Sequence, residues 1–69
     1  MNFDYGKLKG RIVEKFGSQK SFAKAINRST RTISLKLSNK VPFNQEDILI
    51  FIEALDLTVS DIPSYFFCN

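Results

Sequence analysis

The sequence predicts a compact all-α domain of five helices, and three observations support this fold class. Apolar residues recur at helical spacing in successive segments, and good capping residues precede or follow most of these segments. The 69 residues contain no linker, repeat or low-complexity stretch, which predicts one domain over residues 1–69. Hydrophobic residues make up 43% of the chain, including seven Phe, so one core is expected to form without disulfides.

The first helix is predicted from about residue 4 to residue 16. Its apolar side chains form one helical stripe at Tyr5, Leu8, Ile12 and Phe16. Asn2 or Asp4 is expected to cap its start, and Gly17 to cap its end.

The second helix is predicted from the cap residue Ser18 to about Ile26, with Phe22 and Ile26 facing the core. Ala23 is small and allows the next helix to come close. A tight turn follows at Asn27, because Asn tolerates a positive φ better than any residue except Gly.

The third helix is predicted over about residues 29–38, capped by Ser29, with Ile33 and Leu37 pointing inward. The opposite face then carries Arg31, Leu35 and Ser38, flanked by Thr32 and Ser34. An outward leucine suits a helix that enters the major groove of DNA, where apolar side chains contact thymine methyl groups. The alternative is that Leu35 packs under a neighbouring loop or is an ordinary exposed apolar residue.

The fourth helix is predicted over about Gln45 to Leu55, with Asn44 as its cap and Asp47 completing a capping box. Its core stripe consists of Ile48, Phe51, Ile52 and Leu55. Ile50 projects on the far side, between two glutamates.

A short fifth helix is expected to start at Ser60–Asp61, after a turn in which Leu57 and Val59 are buried. Phe66 and Phe67 are adjacent and cannot both enter one small core. One of them, together with Ile50, is a candidate contact for a protein partner. The alternative is that the second Phe folds back onto the first helix.

The charges are divided along the chain. Residues 1–40 hold all ten bases and two acids, whereas residues 41–69 hold five acids and no base. The division predicts a molecule with a basic side that attracts the DNA backbone and an acidic side that orients it. The alternative is that both are simply solvated surfaces.

The composition argues against an enzyme. The chain has no His and one Cys, which removes the commonest general base and leaves no zinc ligand set. Its three glycines are too scattered for a phosphate-binding loop. We therefore expect no catalytic residue, no metal and no cofactor. No apolar run approaches a membrane span, and the single Cys68 suits a reducing compartment, so the cytoplasm is the expected location.

Residues 18–40 resemble the helix-turn-helix of the Cro/C1-type, lambdoid-repressor-like family. Gln19, Phe22–Ala23, Asn27, Ser29 and Ile33 match its usual pattern of Gln, Leu-Ala, a turn Gly and a recognition-helix Ile without gaps. The chain departs from the pattern at Asn27, where the family has Gly, and at Lys36–Leu37, where the expected order of polar and apolar residues is reversed.

The resemblance implies a role for each matching position. Thr30, Arg31, Ser34 and Leu35 would face the bases of operator DNA, and Arg31 suits a bidentate contact to guanine. The positions that would contact phosphates are Gln19, Thr32, Asn39 and Lys40.

Two functions follow as hypotheses. The first is a Cro-like phage regulator that binds double-stranded operator DNA as a homodimer, with the helix over about 29–38 in the major groove. The second is a phage antirepressor, or modulator, that binds the main repressor protein instead of DNA or as well as DNA. Some relatives in phage switches act in that way. The dependence of affinity on salt distinguishes them, because an interface dominated by phosphates weakens steeply as salt rises.

Overall fold

The computed structural model describes residues 3–68, which form five α-helices, one 3-10 turn and no strand. The helices are α1 (Gly6–Phe16), α2 (Gln19–Ala25), α3 (Thr30–Leu37), α4 (Gln45–Ala54) and α5 (Ile62–Phe66). The predicted all-α fold class with five helices is confirmed.

The start of α1 differs slightly from the prediction. The helix begins at Gly6, and the Asp4 side chain accepts a hydrogen bond from the Gly6 amide at 2.8 Å, which satisfies one of the free amides at the helix start. The other candidate cap, Asn2, lies outside the described residues. At the far end, Gly17 has the positive φ of 86° expected of a helix C-terminal glycine.

The turn between α2 and α3 has the predicted chemistry. Ser18 and Ser29 cap the two helices, each by accepting a backbone amide at 3.1 Å. Asn27 has a φ of 59°. The next amide, that of Arg28, bonds back to the carbonyl of Ala23 at 2.8 Å, and the small Ala23 side chain is buried. The two helices are thereby held together at a fixed angle.

Helix α4 begins with the predicted capping box, in which Asn44 and Asp47 each accept the other's backbone amide. Phe51, Ile52 and Leu55 are buried as expected, and Ile48 is half-buried. Aromatic rings pack against the inner side of this helix. Phe51 packs edge-on against Phe22 at 4.9 Å and against Phe43 at 5.1 Å between ring centroids.

One expectation for the C-terminal segment is wrong, and an open one is decided. Val59 is 71% exposed, because it opens a 3-10 turn (Val59–Asp61) that precedes α5 and turns its side chain away from the core. Phe66 is 1% exposed and packs against Phe43 and Phe51, so it is a core residue and does not offer a contact to a partner. Among residues 3–68, no helix combines the length and the hydrophobicity needed to cross a membrane.

Candidate recognition surfaces

The outer face of α3 carries the four side chains that we assigned to base contacts. Thr30, Arg31 and Ser34 are exposed, and Leu35 is half-buried. Leu35 is thus less outward than predicted, and its backbone carbonyl accepts bonds from the Lys40 and Val41 amides in the turn that folds against it. The face that α3 presents is mainly polar, with one strong cation, Arg31.

A buried ion pair fixes α3 against α4. Lys36 lies on the inward side of α3, between Ile33 and Leu37, and its ammonium group binds the carboxylate of Asp47. Both side chains are only 10% exposed, and the ammonium also lies 6.0 Å from the centre of the Phe43 ring. Lys36 therefore substitutes for an apolar core residue, which explains the reversed order of residues 36 and 37.

The environment of Asp47 favours its ionised form. Burial opposes ionisation, but the hydrogen bonds from Lys36 and from the Asn44 amide, with the charges of Lys36 and Arg28, lower the pKa of Asp47 below its ordinary value. The carboxylate thus serves two purposes, because it completes the cap of α4 and neutralises the lysine of α3. The sequence pattern identified only the first of these.

The four residues assigned to phosphate contacts differ in their availability. Lys40 is exposed, and Gln19 is half-buried in the first turn of α2. Thr32 is half-buried, and its hydroxyl bonds to that of Ser29 at 2.7 Å. Asn39 has both ends of its amide engaged within the protein. The structure thus leaves Gln19, Thr32 and Lys40 at least partly exposed, whereas both polar atoms of the Asn39 side chain are bonded within the protein.

Asn39 holds the N-terminal segment in place. Its side-chain oxygen accepts the Phe3 amide at 2.9 Å, and its nitrogen donates to the Phe3 carbonyl at 2.8 Å. One residue further on, the Asp4 amide bonds to the carbonyl of Cys68 at 2.6 Å. Asn39 itself has a φ of 64°, a conformation that Asn adopts readily. The sequence gives no sign of these hydrogen bonds, because the resemblance implies only a phosphate contact for Asn39.

This N-terminal segment borders an aromatic cavity of about 160 Å³. Its walls include Phe3, Tyr5, Asn39, Val41, Phe43 and Phe67. Phe67 is 50% exposed and contacts the ring of Phe3 at 5.5 Å, whereas burial raises the pKa of Tyr5 deeper in the wall. Of the two adjacent phenylalanines, Phe67 is therefore the one available to a partner.

The outer side of α4 forms a second apolar surface, which we call the α4 strip. It consists of Glu46, Leu49, Ile50 and Glu53, spaced so that they share one helix face. Leu49 is 49% exposed and Ile50 is half-buried. Beside them, Ile26 and Ala54 complete the wall of a shallow depression of about 220 Å³ that Ile50 and Glu53 also line.

Part of the charge division along the chain is neutralised by salt bridges inside the molecule. Three salt bridges join a base of residues 1–40 to an acid of residues 41–69: Lys15–Asp56, Arg28–Glu46 and Lys36–Asp47. The predicted separation into a basic side and an acidic side is therefore weakened, because bases and acids from the two parts lie together. Within residues 3–68, the bases that form no salt bridge are Lys7, Lys9, Lys20, Lys24, Arg31 and Lys40.

The fold and the sequence have a relative of known structure. The solution structure of the modulator of repression (MOR) of the temperate bacteriophage TP901-1 from Lactococcus lactis matches with a TM-score of 0.86 and 48% sequence identity. The match covers 97% of this chain and 90% of that one. No curated protein matches the chain.

The family assignment rests on the whole length of the sequence. The resemblance of residues 18–40 to the Cro/C1-type family stays a prediction, since the family that matches is a different one. Residues 1–69 match the family described as "Protein of unknown function (DUF739)", and the chain belongs to that family.

Proposed function

We propose that this protein is a modulator of repression in a phage genetic switch and that it acts by binding the phage's repressor protein. The observation that carries the proposal is the match to the phage TP901-1 modulator, which extends over 97% of the chain at 48% identity. At this similarity and coverage, a shared regulatory role is a stronger inference than a shared fold alone.

The proposed contacts are apolar side chains on the protein surface. Phe67 is half-exposed beside the aromatic cavity, and Ile50 lies on the α4 strip. The visible part of Leu35 on α3 offers a third contact. A complex is stabilised when a partner removes exposed apolar groups of this kind from water.

The direct test uses the repressor encoded beside the gene for this protein. We expect the purified protein to form a complex with that repressor in calorimetry and to change the gel shift of the repressor on its operator. Phe67→Asp and Ile50→Asp are expected to weaken the complex. Val13→Asp is the matched control, because Val13 is 53% exposed on α1, outside the proposed contacts. If the two proteins do not associate and the operator gel shift is unchanged, the proposal is wrong.

Operator DNA is a second candidate ligand, and the surface of α2 and α3 favours it. Thr30, Arg31 and Ser34 are exposed on α3, and neither Arg31 nor the nearby Lys20 and Lys24 forms a salt bridge within residues 3–68. Cations that are not neutralised by the protein can displace counterions from DNA. In this mode we expect a homodimer on DNA, with half-sites about one helical turn apart.

The two candidates are separated by a gel shift of the protein alone, with DNA from its own genetic neighbourhood, at low and moderate salt. Operator binding predicts a specific shift that weakens steeply as salt rises. A protein-binding role alone predicts no specific shift, whereas a dual role predicts both the shift and the complex with the repressor.

A further inference from the structure

We propose that the α4 strip is a docking site for an amphipathic helix that carries basic residues on either side of its apolar face. The inference deepens the proposed function and rests on it for the identity of the partner protein. The strip presents an aliphatic centre, Leu49 and Ile50, between two carboxylates, Glu46 and Glu53. Its shallow depression of about 220 Å³ has room for aliphatic side chains from a facing helix.

The first reason is that the aliphatic pair is not used by the core. The buried side of α4 is formed by Phe51, Ile52 and Leu55, whereas Leu49 is 49% exposed on the opposite side. Each large apolar side chain left in water forgoes stabilisation that burial would give. Two such neighbours on one helix, with Ile26 and Ala54 beside them, form a contiguous surface rather than scattered exposed residues.

The second reason is the charge at the C-terminal end of α4. Glu53 lies in the last turn, where the helix dipole favours a cation, and that turn contains no basic residue. Glu53 forms no salt bridge within residues 3–68, so a carboxylate and the negative helix end lie together. A base on the partner would relieve this repulsion.

The third reason is the charge at the other end of the strip. Glu46 is 79% exposed, and its nearest base, Arg28, lies 3.8 Å away, at the outer limit of a salt bridge. Glu46 therefore remains open to a second cation. Two copies of the strip facing each other would bring two carboxylates together at each end, with one Arg28 between them. A partner with basic residues at both ends complements the strip better than a second copy does.

The test is an NMR titration of the ¹⁵N-labelled protein with a designed helical peptide that has leucines on one face and lysines along its edges. A control peptide has every lysine replaced by glutamate. We expect the lysine peptide to shift the amide signals of Leu49, Ile50 and Glu53 saturably, and the glutamate peptide to have no such effect. Equal shifts with both peptides, shifts confined to other residues, or no shifts would overturn the proposal. So would concentration-dependent self-association through the same amides.

The variant Glu53→Gln separates a docking role from a structural one. Removing the charge is expected to weaken peptide binding roughly two- to fivefold, the effect of one exposed ion pair. The same change is expected to raise the thermal midpoint of the free protein, because it removes a carboxylate from the negative end of α4. Unchanged or tighter peptide binding by this variant would contradict the docking role.

The titration contains no repressor, so its outcome is independent of the proposed function. Peptide binding without any complex with the repressor would leave the docking surface intact and remove the repressor as its partner. A complex with the repressor that Glu46→Gln and Glu53→Gln leave unaffected, together with failure of the peptide, would retain the proposed function and overturn the docking site.

Discussion

The side-chain amide of Asn39 forms hydrogen bonds that a neighbouring backbone segment would otherwise form. By accepting from the Phe3 amide and donating to the Phe3 carbonyl, it satisfies both polar groups of one residue, as a neighbouring strand would do. Its positive φ allows the chain to turn sharply after α3 and brings the side chain into position. One residue thus connects the candidate recognition helix to the N-terminal segment of the protein.

We expect Asn39→Ala to lower the free energy of unfolding by about 1–3 kcal/mol, because both polar groups of Phe3 lose their partner and alanine disfavours the positive φ. Urea denaturation measures the loss. Asn39→Asp is the control, since it retains the acceptor and the tolerance of positive φ but loses the donor, and it should fall between the two. Equal stability of all three proteins would show that the hydrogen bonds between Asn39 and Phe3 do not stabilise the fold.

Arg31 is the residue that tests DNA reading most directly. If the protein binds an operator, Arg31→Ala should weaken the binding free energy for the cognate site by about 1–3 kcal/mol and reduce the preference for that site over other sequences.

Gln19→Ala should weaken binding to all DNA sites about equally, because a phosphate contact carries no sequence information. Titrations against cognate and scrambled DNA measure both effects. An Arg31→Ala protein that binds its operator normally would exclude the proposed face of α3.

At the scale of the element, α3 is oriented by a buried charge in addition to the apolar side chains of Ile33 and Leu37. Lys36 occupies an inward position, and Asp47 on α4 neutralises it. Such a pair holds two helices in one register, although its net stabilisation is small, because two charges must leave water. Replacing only one member of the pair destabilises the fold strongly, because the other charge is then buried without a partner.

We expect Asp47→Asn to destabilise the protein by about 3–5 kcal/mol at neutral pH, as is usual when one member of a buried pair is removed. The double variant Lys36→Met with Asp47→Asn should recover much of this loss. Chemical denaturation of the four proteins of this cycle gives the coupling energy. Additive effects of the two changes would show that the pair is not coupled.

The same pair predicts a dependence on pH. The pKa of Asp47 is lower in the folded protein than the ordinary value of about 3.9, so the ionised carboxylate stabilises the fold above that value. The stabilisation is lost as the pH falls from about 4 through the lower folded pKa. Stability measured between pH 7 and pH 2 should therefore show the difference between wild type and Asp47→Asn shrinking in acid. Asp61, whose pKa is lowered by its hydrogen bonds from Thr58, contributes independently.

The elements could be predicted because their signals are local. Ser18, Ser29 and Asn44 each cap a helix by accepting the amide three positions further on, and Asn27 itself adopts the positive φ of its turn. Burial in the C-terminal segment depends on distant contacts. Phe66 rather than Phe67 enters the core because it packs against Phe43 and Phe51, and the local sequence does not specify those partners.

The candidate surfaces were predictable to different degrees. The outward face of α3 follows from helical periodicity once Ile33 is placed in the core. Two hydrogen bonds join residues far apart in the sequence: Asn39 to Phe3, 36 positions away, and Lys36 to Asp47, 11 positions away. The local sequence pattern does not specify such partners. The sequence predicts the α4 strip only in part, because it places Ile50 between two glutamates but does not indicate that Leu49 is exposed.

At the scale of the whole molecule, the charge division serves folding as well as recognition. The salt bridges from Lys15, Arg28 and Lys36 each reach an acid of the C-terminal part, so the two parts of the chain attract each other. The bases that remain outside salt bridges include Lys20, Lys24 and Arg31 on α2 and α3. The positive potential available to a partner is therefore more restricted than the sequence suggested.

This arrangement predicts that salt affects the folding stability and the DNA affinity to very different extents. The exposed pairs contribute about 0–1 kcal/mol each, so raising the salt concentration should change the unfolding free energy little. Any DNA complex should weaken by a steep power of the salt concentration, with a slope set by the few bases that contact phosphates. Fluorescence titrations over a range of salt give that slope. A slope equivalent to ten phosphate contacts, one for each base, would contradict the internal salt bridges.

The bond between the Asp4 amide and the Cys68 carbonyl brings the two ends of the described chain side by side, next to the aromatic cavity. A label attached at Asp4 or at the exposed Cys68 is therefore expected to lie near Phe67, which precedes Cys68 and lines the cavity. We expect a dye on Cys68 to report on occupation of the cavity and also to obstruct it. For binding studies, a label on α1, such as at Val13, keeps both surfaces unobstructed.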